Sequence, residues 1–282
     1  MQSNIRGITW MLLYCMAISS MTATIRALAN SFHILQVIFI YNIVAFMLIL
    51  PLALFKMRDV YQTKCLHLHF WRSVLGIGAV LCYFYAVQGM PMTQASAIAQ
   101  STPLFSFVAA VIFLRERITA ARVIALFIGL LGAMIVIRPA TPAFSPFSLL
   151  MLAAASMWAI MNIIVKRMSK DESNIVQLFF YTGLMTIFSI PMALPYWQWP
   201  TLASDYIKLF SIGSLFMFSV LAIYNAYRYA DVTVVLPFEF STLVFTSAIA
   251  FLFFNEIISV WTIVGALFII SACFYIKYDK KG

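Results

Sequence analysis

Ten apolar runs of about 20 residues each, separated by short polar breaks, leave this chain little choice of solvent. A bilayer core about 30 Å thick is crossed by roughly 20 apolar residues in a helix, and every backbone polar group there must be satisfied within the segment. The runs fall near 7–26, 34–55, 70–89, 92–114, 121–138, 146–166, 175–195, 206–228, 232–254 and 260–277. Stretches such as VIALFIGLLGAMIVI do not alternate, which excludes a transmembrane barrel. With 64% apolar and 10% charged residues, the chain also lies far from soluble domains, which carry about 25% charged residues. The expected fold class is an all-α polytopic membrane protein of ten transmembrane helices. No connection is long enough to hold a further domain, so function must reside among the spans or at their ends.

The formal charge of +9 could suggest a nucleic-acid partner, but the distribution of basic residues argues otherwise. With the N-terminus placed in the cytoplasm, 15 of the 18 Lys and Arg fall on the inner side, and only Arg26, Arg138 and Lys208 fall outside. This is the positive-inside pattern. It predicts a multi-pass inner-membrane protein with both termini cytoplasmic and no nucleic-acid partner. The four cysteines form no CxxC pair, and three lie within spans, so reduced thiols are expected. Trp10, Trp71, Trp197, Trp199 and Trp261 fall near span ends and read as an aromatic belt.

Sliding the chain against itself by 140 positions aligns its halves almost without gaps. Glu116 falls on Glu256, Pro51 on Pro191, Tyr41 on Tyr181, Thr93 on Thr233 and Ser101-Thr102 on Ser241-Thr242, while Arg26 meets Lys166. Two domains follow: 5–140 with spans 1 to 5, and 145–279 with spans 6 to 10. An odd number of spans per unit forces the second to enter the membrane from the opposite side, giving an inverted repeat with a site expected between the halves. Span 1 takes part in the repeat, so it is expected to be a retained span rather than a cleaved leader.

The two stretches AVIFLRERITAARVIALFIGLLGAMIVIRP and AIAFLFFNEIISVWTIVGALFIISACFYI resemble the paired EamA domains of the drug/metabolite transporter superfamily in its ten-helix bacterial form. GMPMTQASAIAQSTPLFSFVAAVIFLRERI and its counterpart YADVTVVLPFEFSTLVFTSAIAFLFFNEI carry most of the likeness, which covers nearly the whole chain. A looser likeness, through RPATPAFSPFSLLMLAAASMWAIMNIIVKRMSKDES, is to S-adenosylmethionine uptake carriers of this family. The resemblance implies a secondary transporter of a small metabolite such as an amino acid, with a central cavity lined by spans 1 to 4 and 6 to 9.

Among the residues themselves, Glu239 stands out. It lies roughly 10 Å into span 9, where a carboxylate is costly unless paired, hydrated or protonated. Thr242 and Thr246 share its helical face, and Pro237 removes a backbone hydrogen bond just before it. Binding an amine or carrying a proton is one reading; pairing with Arg228 or reaching toward the cytoplasm is the other. Span 4 presents Thr93, Ser96, Gln100 and Pro103 on one face, span 8 Ser211, Ser214, Asn225 and Arg228, and span 3 Arg72, Gly76, Ala79 and Tyr83. Span 1 presents Ser19, Thr22 and Arg26, span 6 Trp158 and Asn162, and spans 2 and 7 the repeat mates Tyr41 and Tyr181. Each stripe alone could be interhelical glue, but six facing one axis suggest a polar cavity.

Other candidates carry less. Cys65, His67 and His69 form a C-x-H-x-H run with no fourth ligand nearby, so no metal site is expected. Glu116 and Glu256 sit at span ends and read as structural, and His33 as a solvated interfacial residue. Gly129 and Gly132 could permit close packing, including in a homodimer. No phosphate-binding GxxxxGK[ST] loop, HExxH or GxSxG is present, so no cofactor is expected and a gradient must supply any driving force. An intramembrane enzyme or a passive channel is the alternative class.

Overall fold

The structure is a computed structural model that describes residues 2–29, 31–90, 92–138, 145–255 and 259–277, apart from the side chains at 2, 3, 92, 93, 276 and 277. The described residues are helical with short connections. The ten expected spans are α1 (Gln2–Leu28), α2 (Ile34–Leu54), α4 (Leu66–Gly89), a broken fourth span, α7 (Ala120–Ile137), α8 (Pro146–Met168), α9 (Asn174–Ala193), α10 (Ala203–Tyr229), a broken ninth span and α13 (Val260–Lys277). Nine helical stretches among the described residues are long and apolar enough to cross a bilayer, and α13 adds a shorter apolar one. The sequence reading missed α3 (Met57–Tyr61), a short helix in the connection between α2 and α4.

Local signals set the ends. Ser145, Thr119 and Ser173 cap α8, α7 and α9 by accepting from Ser148 N, Arg122 N and Val176 N, and Pro146 occupies the first turn of α8, where its missing N–H costs nothing. His33 caps α2 by accepting from Leu35 N and stacks on Tyr196 at 3.7 Å between ring centres, so it is a packed residue rather than a solvated one.

Packing follows the repeat. α1 lies along α10 and, as its repeat counterpart, α8 lies along α4. α1 also meets the second half of span 9, and α8 meets the second half of span 4. The remaining pairs, α2 with α9 and α7 with α13, map onto themselves. Two copies of one pattern therefore bury each other across a pseudo-twofold axis. Because lipid tails are as apolar as the side chains, such contacts rest on close fit rather than on a hydrophobic drive. At the α7–α13 crossing, a Cβ on Gly265 would stand 2.5 Å from the Gly132 carbonyl oxygen, and one on Gly132 would stand 2.7 Å from that of Gly265. Gly129 receives the buried ring of Phe240. The small-residue face that suggested a dimer is thus occupied within the chain.

Both fourth and ninth spans are discontinuous. Span 4 is α5 (Met92–Ala99), a turn at Gln100 and Ser101, α6 (Thr102–Ala109) and a π-helical turn over Ala110–Leu114. Span 9 is α11 (Val232–Glu239), a break at Phe240 and α12 (Ser241–Phe254). Gln100 and Phe240 are repeat mates. Pro103 and Pro237 are not, yet the breaks coincide, so the fold and not proline alone selects the position. Both spans also end in a left-handed residue at equivalent positions, Arg115 with φ 54° and Asn255 with φ 52°. Cys15 is buried, and Cys65, Cys82 and Cys273 are partly buried.

Candidate functional site

The break in span 9 frees backbone carbonyls, and α1 and α12 supply their partners. Cys15 Sγ donates to Phe238 O at 3.4 Å, Thr242 Oγ1 to Glu239 O at 2.7 Å, and Ser19 Oγ to Thr242 O at 3.0 Å. Thr246 Oγ1 donates in turn to Ser19 Oγ. Glu239 sits at the end of α11, and its Oε2 is buried with no hydrogen-bond partner. The electrostatic neighbours of this carboxyl are Tyr14, Cys15 and Tyr227. Arg228 is not among them; it is exposed on α10, which corrects its placement in the site and its proposed pairing with Glu239.

A second group surrounds Arg72. This side chain is wholly buried, with its guanidinium 4.4 Å from the ring centre of Tyr181 and 5.2 Å from that of Tyr224. Nη2 donates to the Gln177 carbonyl at 2.9 Å, while Nε and Nη1 have no partner. Among the described ion pairs no carboxylate meets it. The sequence counted Arg72 among the inner-side charges and also placed it on the polar face of span 3; its complete burial decides for the interior. Tyr41 and Tyr181 flank Phe216, at 4.5 and 6.4 Å between ring centres, so these repeat mates share one aromatic wall. Tyr14, Tyr181, Tyr224 and Tyr227 pack in one cluster with Phe238, the residue before Glu239, which brings the two groups together.

The other candidates separate. Tyr83 and Trp158 pack at 5.9 Å in a distinct cluster with Ile98 and Ala99 of α5. Ser96 and Gln100 lie on the same broken span, the Gln100 N–H reaching Ser96 O. Asn162 donates to Ser106 at 3.1 Å; Ser106 is the repeat mate of Thr246, so both broken spans are tied to a crossing helix at equivalent positions. Asn225 accepts from Asn174 at 2.8 Å and joins α10 to α9. Ser211 and Ser214 bond carbonyls of their own helix, as does the exposed Thr22, and Arg26 is exposed over Phe254. The six stripes therefore do not all line one cavity. The side chain of Thr93 and all of Glu256 lie outside the described residues.

The face rich in basic residues is closed by polar ties. Glu116 accepts from Val232 N, Thr233 N and Thr233 Oγ1, at 2.8 to 2.9 Å, and so caps the start of α11 from the other half of the molecule. A carboxylate at a helix N-terminus is favoured by both the orphan N–H groups and the dipole. Arg122 donates to Thr233 Oγ1 and lies 3.3 Å from Asp231. Lys166 Nζ donates to Tyr227 O and Ala230 O at 2.7 and 2.6 Å, satisfying the end of α10. Its repeat mate Arg26 lies 4.7 Å over the ring of Phe254.

On this same face, the C-x-H-x-H run is structural. His69 Nε2 meets Glu172 Oε2 at 2.7 Å, Thr63 donates to the other oxygen, and no group of potential metal ligands occurs among the described residues. Glu172 and Thr63 line a polar cavity of about 710 Å³ bounded by Asp59, Lys64, Lys170 and Asp171. Burial alone would raise the Glu172 carboxyl, but hydrogen bonds from His69 and Thr63 outweigh it and hold the group below its usual 4.5. A carboxylate depressed in the folded state stabilises fully above its unfolded value and loses that contribution as pH falls through its folded value. The melting temperature of the purified protein should therefore drop between about pH 5 and pH 3, and Glu172→Gln should flatten that segment while lowering stability near pH 7. Parallel curves for the two proteins would show that the tie contributes nothing.

Comparison with known proteins agrees with the helical arrangement. The chain matches the model of the EamA-like transporter family twice, over residues 5–138 and 146–278. It is 30% identical to an S-adenosylmethionine uptake transporter of Rickettsia bellii, with 98% of this chain and 94% of the relative covered. A riboflavin transporter of Vibrio cholerae is 27% identical, covering 98% and 95% of the two chains. A pseudopaline exporter of Pseudomonas aeruginosa is 26% identical over 75% of each. One solved crystal structure superimposes with a TM-score of 0.81 at 14% identity, covering 97% of this chain and 96% of the other.

Proposed function

Since the chain belongs to the EamA-like transporter family, and is a multi-pass membrane transporter rather than an enzyme, we propose that it is a secondary carrier of a small amino-acid derivative, with S-adenosylmethionine as its first candidate substrate. The observation that carries this reading is the pair of buried, incompletely satisfied charges, Arg72 and Glu239, joined by a wall of tyrosines. A substrate with a carboxylate, an ammonium and a sulfonium offers a partner to each, and the tyrosine faces suit a cation and an aromatic base. Riboflavin, which carries neither an α-carboxylate nor an ammonium, fits the same groups less well.

The broken spans 4 and 9 at equivalent repeat positions support alternating access by the two units, 5–140 and 145–279, in an inner membrane with both termini cytoplasmic. In that orientation the ties of Glu116, Arg122 and Lys166 hold the cytoplasmic side shut, which favours an outward-facing state. The test is uptake in proteoliposomes. Labelled S-adenosylmethionine should accumulate by counterflow against an internal load of the same compound, and unlabelled riboflavin should compete poorly. Equal flux with and without an internal load would indicate a channel, and no flux of any amino-acid derivative would overturn the proposal.

A further inference from the structure

We infer that Arg72 and Gln177 form the carboxylate-binding end of a dipolar substrate site whose cationic end is received by Glu239 and Tyr227. The inference deepens the proposed function and rests on it only for the identity of the first probe. Arg72 enters roughly 9 Å into α4, and Gln177 roughly 5 Å into α9, from the same membrane face. Burying a guanidinium without a carboxylate costs several kcal/mol unless other groups repay it. Here one carbonyl and two tyrosine rings meet part of the charge, yet Nε and Nη1 have no hydrogen-bond acceptor in normal geometry. Beside them, both side-chain atoms of the fully buried Gln177 are also unpartnered.

These unmet groups are mostly donors on a planar fork, with an adjacent amide to add another, and a carboxylate satisfies such a fork with two parallel bonds. At the other end the orphaned atoms are the Glu239 Oε2 and the Tyr227 hydroxyl. Tyr224 and Tyr227 lie one turn apart on α10, the first against Arg72 and the second beside Glu239. Tyr14 packs in the same cluster as Tyr181, Tyr224 and Tyr227. A zwitterionic ligand laid along this wall would satisfy both ends, whereas a neutral or purely cationic one would leave Arg72 unmatched.

The test compares ligand pairs that differ by one carboxylate. Thermal stabilisation of the purified protein is measured with S-adenosylmethionine and its decarboxylated form, with lysine and cadaverine, and with riboflavin. The carboxylate-bearing member of at least one pair should stabilise the wild type, with its partner at least about tenfold weaker. Arg72→Gln should abolish that difference, and Arg72→Lys, which keeps the charge but not the fork, should restore part of it. Discrimination by lysine against cadaverine, with S-adenosylmethionine ignored, would sink the substrate candidate and leave the carboxylate site standing. Equal binding within every pair, no binding at all, or undiminished discrimination in a folded Arg72→Gln protein would overturn the inference. Should Arg72→Gln fail to fold, Gln177→Leu gives the same readout from the neighbouring group.

Discussion

Glu239→Gln is expected to leave the protein folded and inserted while reducing concentrative uptake at least about tenfold, equivalent to some 1.4 kcal/mol of lost interaction. The substitution is nearly isosteric, so packing at the end of α11 survives. The structural bonds at this position use the backbone: Thr242 and Cys15 both donate to the Glu239 carbonyl, and neither depends on the side chain. What disappears is a buried acceptor with an unmet lone pair beside Tyr14 and Tyr227. An acid retained at such depth without a partner is expensive, and intramembrane ionisable groups mark ligand or proton pathways. Uptake against pH separates these roles. Loss of transport at every pH assigns Glu239 to the substrate cation, and residual downhill flux without pH dependence assigns it to the proton. Wild-type uptake across the whole range would remove Glu239 from the mechanism.

Gly265→Val should be the most damaging single change to the fold, by about 3 kcal/mol or more, the upper end for overpacking a close contact. The added Cβ would lie 2.5 Å from both the Gly132 carbonyl oxygen and a methyl of Val136. A flexible side chain could swing aside, but the carbonyl belongs to a helix backbone already in its hydrogen-bonded register. α7 and α13 must separate, and Phe240, seated against Gly129 on the same face of α7, would lose its socket. The disturbance thus reaches the span-9 break through one ring. Reduced yield of monodisperse protein and a lower melting temperature are the measurements. A Gly265→Val protein as stable as the wild type would mean that the crossing is not close-fitted in the membrane.

Much of this architecture was legible beforehand because it obeys a strong constraint. Apolar runs must become spans, and a constant offset of 140 residues makes two units with the same helix order. Glu239, Thr242 and Pro237 could be picked out because polarity and proline are conspicuous in an apolar helix. The expected companions were less legible. A stripe at helical spacing shows which residues share a face, but not whether that face meets a cavity, a neighbour or lipid. Asn162 turned out to bridge to Ser106, Asn225 to Asn174, and Ser211 and Ser214 to their own helix. Arg228 and Arg72 both lie near span ends in the sequence, yet one is exposed and the other fully buried.

By itself, then, the sequence determined the solvent, the number of spans, the duplication and the depth of one carboxylate, since each is written in hydropathy and spacing along a single helix. Only the tertiary structure decided that the breaks in spans 4 and 9 coincide without matching prolines, that Glu116 caps a helix of the other half, and that Arg72 lies between Tyr181 and Tyr224. Those features depend on which faces of different helices meet, and helices that are apolar nearly all round leave that choice to the fit of small residues and the few polar groups that find partners.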